Sequence, residues 1–166
     1  MAHVTLILGG ARSGKSAYAL SLCPAPHTFI ATAEALDDEM TARITAHQAE
    51  RNDGWDLVEA PLNICKAITD SADENRTLLI DCLTLWLSNL MHHNQNLTDE
   101  TNNLIAAMAK APGNIVLVSN EVGMGLSPDN ALGRSFRDEQ GRLNQRIAAI
   151  ADRVEFVAAG LPLKLK

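Results

Sequence analysis

The chain has 166 residues, of which 46% are hydrophobic, and its formal net charge at pH 7 is −6. This length and composition predict one globular domain over residues 1–166 and exclude a disordered chain. The acidic balance, with a pI near 5.3, argues against a general nucleic-acid or membrane-surface binder. No apolar run is long enough to span a membrane.

The chain opens with a predicted strand over residues 3–8, a glycine-rich loop over 9–16 and a helix over 17–22. The loop sequence GGARSGKS fits the phosphate-binding pattern G-x-x-x-x-G-K-[ST], and a strand before it and a helix after it are the required context. Its glycines allow successive backbone N–H groups to point at one anion. The predicted phosphate-binding residues are Gly9, Gly10, Ala11, Arg12, Ser13, Gly14, Lys15 and Ser16.

Lys15 and Ser16 have separate predicted roles within this loop. The ammonium group of Lys15 would lie against the β- and γ-phosphates of a nucleotide, which makes Lys15 a catalytic candidate. The hydroxyl of Ser16 would bind Mg²⁺.

The rest of the chain alternates between apolar runs and helical patterns. The predicted strands are 27–31, 55–60, 77–83, 114–119, 154–159 and 162–166, and the predicted helices are 37–51, 61–69, 83–91, 99–110 and about 128–152. We expect Pro61 in the first turn of its helix and Thr98 as the cap of the helix that follows it. This alternation predicts a P-loop NTPase-like α/β fold, a mainly parallel sheet with helices on both faces, with the C-terminal strands as candidates for an antiparallel pair.

Asp81 follows four buried-type residues in the strand over 77–83. An apolar strand with a carboxylate at its end is typical of the second Mg²⁺-binding element of P-loop proteins. The alternative is a helix-capping aspartate before residues 83–91. Because the loop over 9–16 is also present, we favour Mg²⁺ binding.

His47 is the histidine that pattern and charge single out. It shares a helical stripe with Ile44 and Arg51, and Arg43 lies one turn before it. One interpretation is a partly buried histidine at the edge of an apolar face. The other is a nucleophile, since flanking guanidinium groups would lower the pKa of its imidazole and hold a triphosphate. Spacing alone leaves both open.

Other polar residues give weaker signals. Glu34 and Glu59 lie near predicted strand ends, where they are either surface residues or contacts for a base or ribose. The cysteines at 23, 65 and 82 lack metal-type spacing, so we expect free thiols and a cytoplasmic protein. No signal peptide is visible.

Five motifs carry a resemblance to a known family. They are GGARSGKS at 9–16, LDDEMTARI at 36–44 with His47 following, LLIDCLTLWLSNLM at 78–91, VSNEVGMG at 118–125 and FRDEQGRLNQRIA at 136–148. Together they resemble the bifunctional adenosylcobinamide kinase and adenosylcobinamide-phosphate guanylyltransferases of cobalamin biosynthesis. Some members of that family carry two adjacent histidines where this chain has Ala46 and His47.

The resemblance implies two reactions on one scaffold. A nucleoside triphosphate, ATP or GTP, phosphorylates adenosylcobinamide, and His47 then carries GMP from GTP to the phosphorylated corrinoid. The resemblance also implies Mg²⁺ and a homotrimer. The guanine-nucleotide contacts that it implies are Thr32, Ala33, Glu34, Gln48, Arg51, Glu59 and Asp81.

Two other functions fit the loop over 9–16. One is a monofunctional P-loop kinase of a small hydroxylated metabolite, in which His47 has no chemical role. The other is a nucleotide-hydrolysing regulatory protein, although the N-K-x-D sequence of switch GTPases is absent. A catalytically inactive nucleotide-binding subunit is disfavoured because the loop is complete.

Overall fold

The computed structural model describes residues 1–34 and 54–166. The predicted helix over 37–51 lies outside these residues. The predicted site residues His47, Gln48 and Arg51 therefore lie outside them as well.

The described residues form a seven-stranded sheet in the order β3-β2-β4-β5-β1-β6-β7. Its strands are β1 (His3–Gly9), β2 (His27–Ala31), β3 (Trp55–Glu59), β4 (Thr77–Asp81), β5 (Asn114–Asn120), β6 (Arg153–Ala158) and β7 (Leu161–Lys164). Strands β1 to β6 pair in parallel, and β7 pairs antiparallel to β6. The predicted mainly parallel sheet and its antiparallel C-terminal pair are confirmed.

Helices of the described residues cover both faces of this sheet. They are α1 (Lys15–Ser21), α2 (Ile64–Ser71), α3 (Leu83–His92), α4 (Leu97–Lys110) and α5 (Ala131–Ile150). Helix α1 packs on one face through Ala19, whereas α2 to α5 pack on the other. Because both faces are covered, the central strands are apolar without alternation. Residues Ile115 to Ser119 of β5, for example, are all buried.

Four predicted helix starts were wrong by two or three residues. Helix α1 begins at Lys15 and not at residue 17. Helix α4 is capped by Asn96, whose Oδ1 accepts hydrogen bonds from the backbone N–H groups of Thr98 (3.1 Å) and Asp99 (3.2 Å), so Thr98 is not the cap. Helix α2 begins at Ile64, after Pro61. Helix α5 begins at Ala131, where the Asn130 side chain accepts from the Gly133 N–H at 2.6 Å. Asn and Thr are both good cap residues, and sequence alone did not rank them here.

None of the helices in residues 1–34 and 54–166 is long and apolar enough to cross a membrane.

Candidate active site

The sheet register brings the carboxyl ends of the six parallel strands to one edge. Gly9 of β1 lies opposite Asn120 of β5, and Asp81 of β4 lies opposite Val118 of β5. Ala31 of β2 lies opposite Asp81. Ligands of open α/β sheets bind outside this edge. The loop that begins at Gly9 therefore starts beside the strand ends that carry Asp81 and Asn120.

The loop over residues 9–16 is closed by its own backbone. The Ser13 N–H donates to the Gly10 carbonyl at 3.3 Å, and the Tyr18 N–H donates to the Gly14 carbonyl at 3.0 Å. Arg12 and Gly14 both have positive φ, 54° and 90°. These left-handed positions turn the chain sharply between β1 and α1, as the sequence pattern predicts.

The loop is also fixed from outside by the β6–β7 turn. The Gly160 N–H donates to the Ser13 carbonyl at 2.7 Å. A Cβ on Gly14 would lie 3.1 Å from the Gly160 Cα. The C-terminal hairpin thus packs directly against the phosphate loop, a contact that no local sequence pattern indicated.

Lys15 lies close enough to Asp81 for their charges to interact. Its Nζ donates to the Gly10 carbonyl at 3.0 Å, so its side chain lies back across the loop. Burial lowers the pKa of Lys15, while the neighbouring Cys82 and Asp81 oppose that shift. The structure therefore brings the predicted phosphate-binding lysine and the predicted Mg²⁺ carboxylate into one electrostatic environment.

Asp81 ends β4 and does not cap the helix that follows. The cap position of α3 is Cys82, which makes no side-chain capping bond. Burial raises the pKa of the Cys82 thiol to about 11, and the adjacent Asp81 adds to that shift. All three cysteines are free thiols, as predicted.

Thr32 is fully buried, and its side chain is occupied by backbone groups of Cys82. Its Oγ1 donates to the Cys82 carbonyl at 2.7 Å and accepts from the Cys82 N–H at 2.8 Å. Its own carbonyl accepts from the Asn89 amide at 2.8 Å. Thr32 therefore joins the end of β2 to the turn after Asp81.

Ala33 and Glu34 follow β2 at the same edge. One Glu34 carboxylate oxygen lies 3.2 Å from Nε2 of His93, at the C-terminal end of α3. Glu59 ends β3, the outermost strand, and is exposed. Strands β2, β4 and β5 separate it from β1, so the structure does not bring Glu59 to the phosphate loop.

Several polar residues of the site were missed by sequence reasoning. Thr84, Asn89 and Gln140 are buried polar residues on helices α3 and α5. Asn89 also donates to the Pro61 carbonyl at 2.9 Å. The sequence signal for these residues was a polar side chain within an apolar helical run, such as Asn89 in LTLWLSNLM. The same pattern is compatible with a surface position, so it did not identify them.

The comparison with known proteins decides the family. The family model described as cobinamide kinase / cobinamide phosphate guanyltransferase matches residues 5–165. The chain belongs to this family.

Curated relatives align with this chain over nearly their whole length. The chain is 46% identical to the bifunctional adenosylcobalamin biosynthesis protein CobP of Pseudomonas aeruginosa, covering 97% of this chain and 96% of that protein. It is 40% identical to the bifunctional adenosylcobalamin biosynthesis protein CobU of Salmonella typhimurium and 38% identical to that of Escherichia coli. Each alignment covers 97% of this chain and 98% of the relative. The resemblance drawn from the five motifs is confirmed.

Proposed function

We propose that this protein phosphorylates adenosylcobinamide with a nucleoside triphosphate and then transfers GMP from GTP to the product, giving adenosylcobinamide-GDP. The observation that carries this proposal is the closed loop over residues 9–16, with Lys15 beside Asp81, in a chain that matches the family from residue 5 to 165. No observation favours a monofunctional kinase or a regulatory nucleotide hydrolase.

In the first reaction, the corrinoid hydroxyl oxygen attacks the γ-phosphorus of the triphosphate. The bond from that phosphorus to the bridging oxygen breaks, the diphosphate leaves, and the hydroxyl proton passes to solvent. Lys15 and the loop N–H groups stabilise the charge on the phosphoryl oxygens. The partly buried position of Lys15 strengthens this interaction because less water screens it.

Ser16 and Asp81 fit a Mg²⁺ site. One carboxylate and one hydroxyl are the donor set that Mg²⁺ takes from the protein when nucleotide phosphates and water supply its other ligands. Ser16 lies in the first turn of α1 and Asp81 at the end of β4. When bound, the ion would neutralise charge on the phosphates.

In the second reaction, an imidazole nitrogen of His47 attacks the α-phosphorus of GTP and pyrophosphate leaves. The phosphate of the corrinoid then attacks the same phosphorus, the phosphorus–nitrogen bond breaks, and His47 is regenerated. This role rests on the family motif at 36–44. The same motif carries the proposal that Gln48 and Arg51 contact the nucleotide, alongside Thr32, Ala33, Glu34, Glu59 and Asp81.

We further propose a single domain over residues 1–166, a cytoplasmic location and a homotrimer that binds no nucleic acid. Leu161 and Leu163 on the edge strand β7 are 72% and 61% exposed, and a subunit contact would cover such an edge. A sedimentation mass of three times 17.9 kDa is expected.

Intact mass spectrometry after incubation with GTP and Mg²⁺ tests the second reaction. We expect wild type to gain the mass of one acid-labile GMP group and His47→Ala to gain none. His3→Ala is the matched control, because His3 lies at the opposite end of β1, beside Asp152. It is expected to form the adduct like wild type.

Absence of an adduct on wild type, with nucleotide shown to bind, would contradict guanylyl transfer and point to a monofunctional kinase. An adduct that persists in His47→Ala would move the nucleophile to another residue. Transfer of the γ-phosphate to adenosylcobinamide, measured with radiolabelled triphosphate, tests the first reaction independently.

A further inference from the structure

Asn120 ends the strand that lies between the phosphate-loop strand and the Asp81 strand. Strand β5 pairs with β1 on one side and with β4 on the other. Asn120 is opposite Gly9, where the phosphate loop begins, and two residues beyond Val118, which is opposite Asp81. It therefore lies between the two elements assigned to the phosphates and Mg²⁺.

The side chain of Asn120 is on the α1 face of the sheet. Side chains alternate along a strand, and Val116 and Val118 pack in the cluster that contains Ala19 of α1. Asp81 is on the same face, because Leu79 of β4 packs in that cluster too. Asn120 and Asp81 thus extend from neighbouring strands on the side of the sheet that carries Lys15.

The backbone of Asn120 is held by hydrogen bonds on both sides. Its N–H donates to Thr84 Oγ1 at 2.8 Å, and its carbonyl accepts from Asn144 Nδ2 at 3.0 Å. The next N–H along the chain, that of Glu121, donates to the Gly9 carbonyl at 3.0 Å. These bonds tie the end of β5 to α3, to α5 and to the first residue of the phosphate loop.

A buried polar network on the other face supports this arrangement. Ser119 Oγ donates to Asn144 Oδ1 at 2.7 Å, and Gln140 Nε2 donates to the same oxygen at 3.0 Å. Gln140 and Ser119 are both fully buried. The network fixes Asn144 and, through it, the carbonyl of Asn120, so the position of Asn120 is determined before any ligand binds.

The side-chain amide of Asn120, in contrast, has no partner among the described residues. Its Oδ1 is buried and accepts no hydrogen bond. Its amide nitrogen donates none to residues 1–34 or 54–166. The unpaired Oδ1 costs about 1–3 kcal/mol of folding stability. The amide nitrogen is not among the buried unpaired atoms, so it is open to a ligand at this edge of the sheet. A phosphoryl oxygen only accepts hydrogen bonds, so it would bind the amide through this nitrogen.

We propose that the amide nitrogen of Asn120 donates a hydrogen bond to the terminal phosphoryl group of the nucleoside triphosphate bound by the loop over residues 9–16. The inference rests on the proposed function only in requiring that this loop bind a triphosphate. A neutral amide held in place by the backbone stabilises charge on that group at no reorganisation cost. Asn120 is then a binding residue that distinguishes a triphosphate from a diphosphate.

Nucleotide affinity tests this role without requiring turnover. The dissociation constants of β,γ-imido-ATP, β,γ-imido-GTP, ADP and GDP are measured with Mg²⁺ for wild type, Asn120→Ala and Asn120→Asp. We expect the affinity of both variants for the imido triphosphates to fall about tenfold or more, the size of a lost hydrogen bond to a charged group. Diphosphate affinity is expected to change less than twofold.

Asn114→Ala is the matched control, because Asn114 is an exposed asparagine at the other end of the same strand. It is expected to match wild type with every nucleotide. Asn120→Asp keeps the shape of the side chain and replaces the donor with a charge that repels phosphate, so it remains informative if Asn120→Ala folds poorly.

Unchanged triphosphate affinity in the Asn120 variants would overturn the proposal. Equal losses for triphosphates and diphosphates would overturn it as well, since they would indicate a general role in shaping the site. Neither result depends on the corrinoid reactions. Failure of the wild type to phosphorylate adenosylcobinamide or to form the GMP adduct would contradict the proposed function alone.

Discussion

Gly9 and Gly10 are neighbours in the phosphate loop, yet their surroundings differ. A Cβ on Gly9 would lie 2.5 Å from Ser13 Oγ and 2.6 Å from the Val157 carbonyl oxygen. A Cβ on Gly10 would meet no atom within 4 Å. The loop motif requires glycine at position 9. The structure supplies the reason, because the backbone of β6 approaches this position closely.

Gly9→Ala is therefore expected to lower the free energy of unfolding by about 1–3 kcal/mol, because the backbone carbonyl of Val157 has to move. Gly10→Ala is expected to change it by less than about 0.5 kcal/mol. Urea denaturation of both variants measures the difference. Equal effects of the two substitutions would show that the close approach to Val157 is not what restricts position 9.

The C-terminal hairpin is the element whose role changes most between sequence and structure. Its two-residue turn, Ala159 and Gly160, has positive φ at both positions, 52° and 76°. Glycine and asparagine favour such a turn, whereas alanine is strained in it. The same turn donates the 2.7 Å hydrogen bond to Ser13, so its conformation bears directly on the phosphate loop.

Ala159→Asn is expected to raise the free energy of unfolding by about 0.5–1 kcal/mol, because asparagine tolerates the left-handed conformation better than alanine does. Thermal denaturation measures the change. Gly160→Ala is the opposing control: nothing lies within 4 Å of its Cβ position, yet φ is 76°, so backbone strain alone is expected to destabilise it. A stability loss in Ala159→Asn would contradict this turn geometry.

At the scale of the whole molecule, the sheet order brings segments that are distant in the chain to one edge of the sheet. Gly9, Asp81 and Asn120 are far apart in the chain but adjacent at the carboxyl edge of the sheet. A ligand that binds at this edge would be released on unfolding, so we expect it to stabilise the whole fold by mass action.

We expect β,γ-imido-ATP with Mg²⁺, at one hundred times its dissociation constant, to raise the melting temperature of wild type by about 5–10 °C. The same concentration is expected to raise that of Lys15→Ala by less than about 2 °C, because a charge-assisted phosphate contact is lost. Lys66→Ala is the control, since Lys66 is exposed and pairs with Asp70 on α2. Equal shifts in Lys15→Ala and wild type would contradict the role of Lys15.

The sequence by itself determined the local elements and the family. Gly9 to Ser16 could be identified because strand, loop and helix are contiguous, and Asp81 because the strand before it is apolar. These features depend on residues a few positions apart, which is the range that periodicity and motif spacing report. The five motifs were sufficient by themselves to indicate the family, because each is a contiguous run of residues.

Only the tertiary structure decided which strand ends meet. The order β3-β2-β4-β5-β1-β6-β7 places Asn120 between Gly9 and Asp81, and it places Glu59 on an edge strand. The turn at Gly160 lies beside the phosphate loop, where its N–H donates to the Ser13 carbonyl. The tertiary structure also joins Thr32 by hydrogen bonds to Cys82, which is 50 residues away in the chain. Such contacts join residues far apart in the chain, and they are selected by burial of both sheet faces and by pairing of buried polar groups, neither of which leaves a local pattern in the sequence.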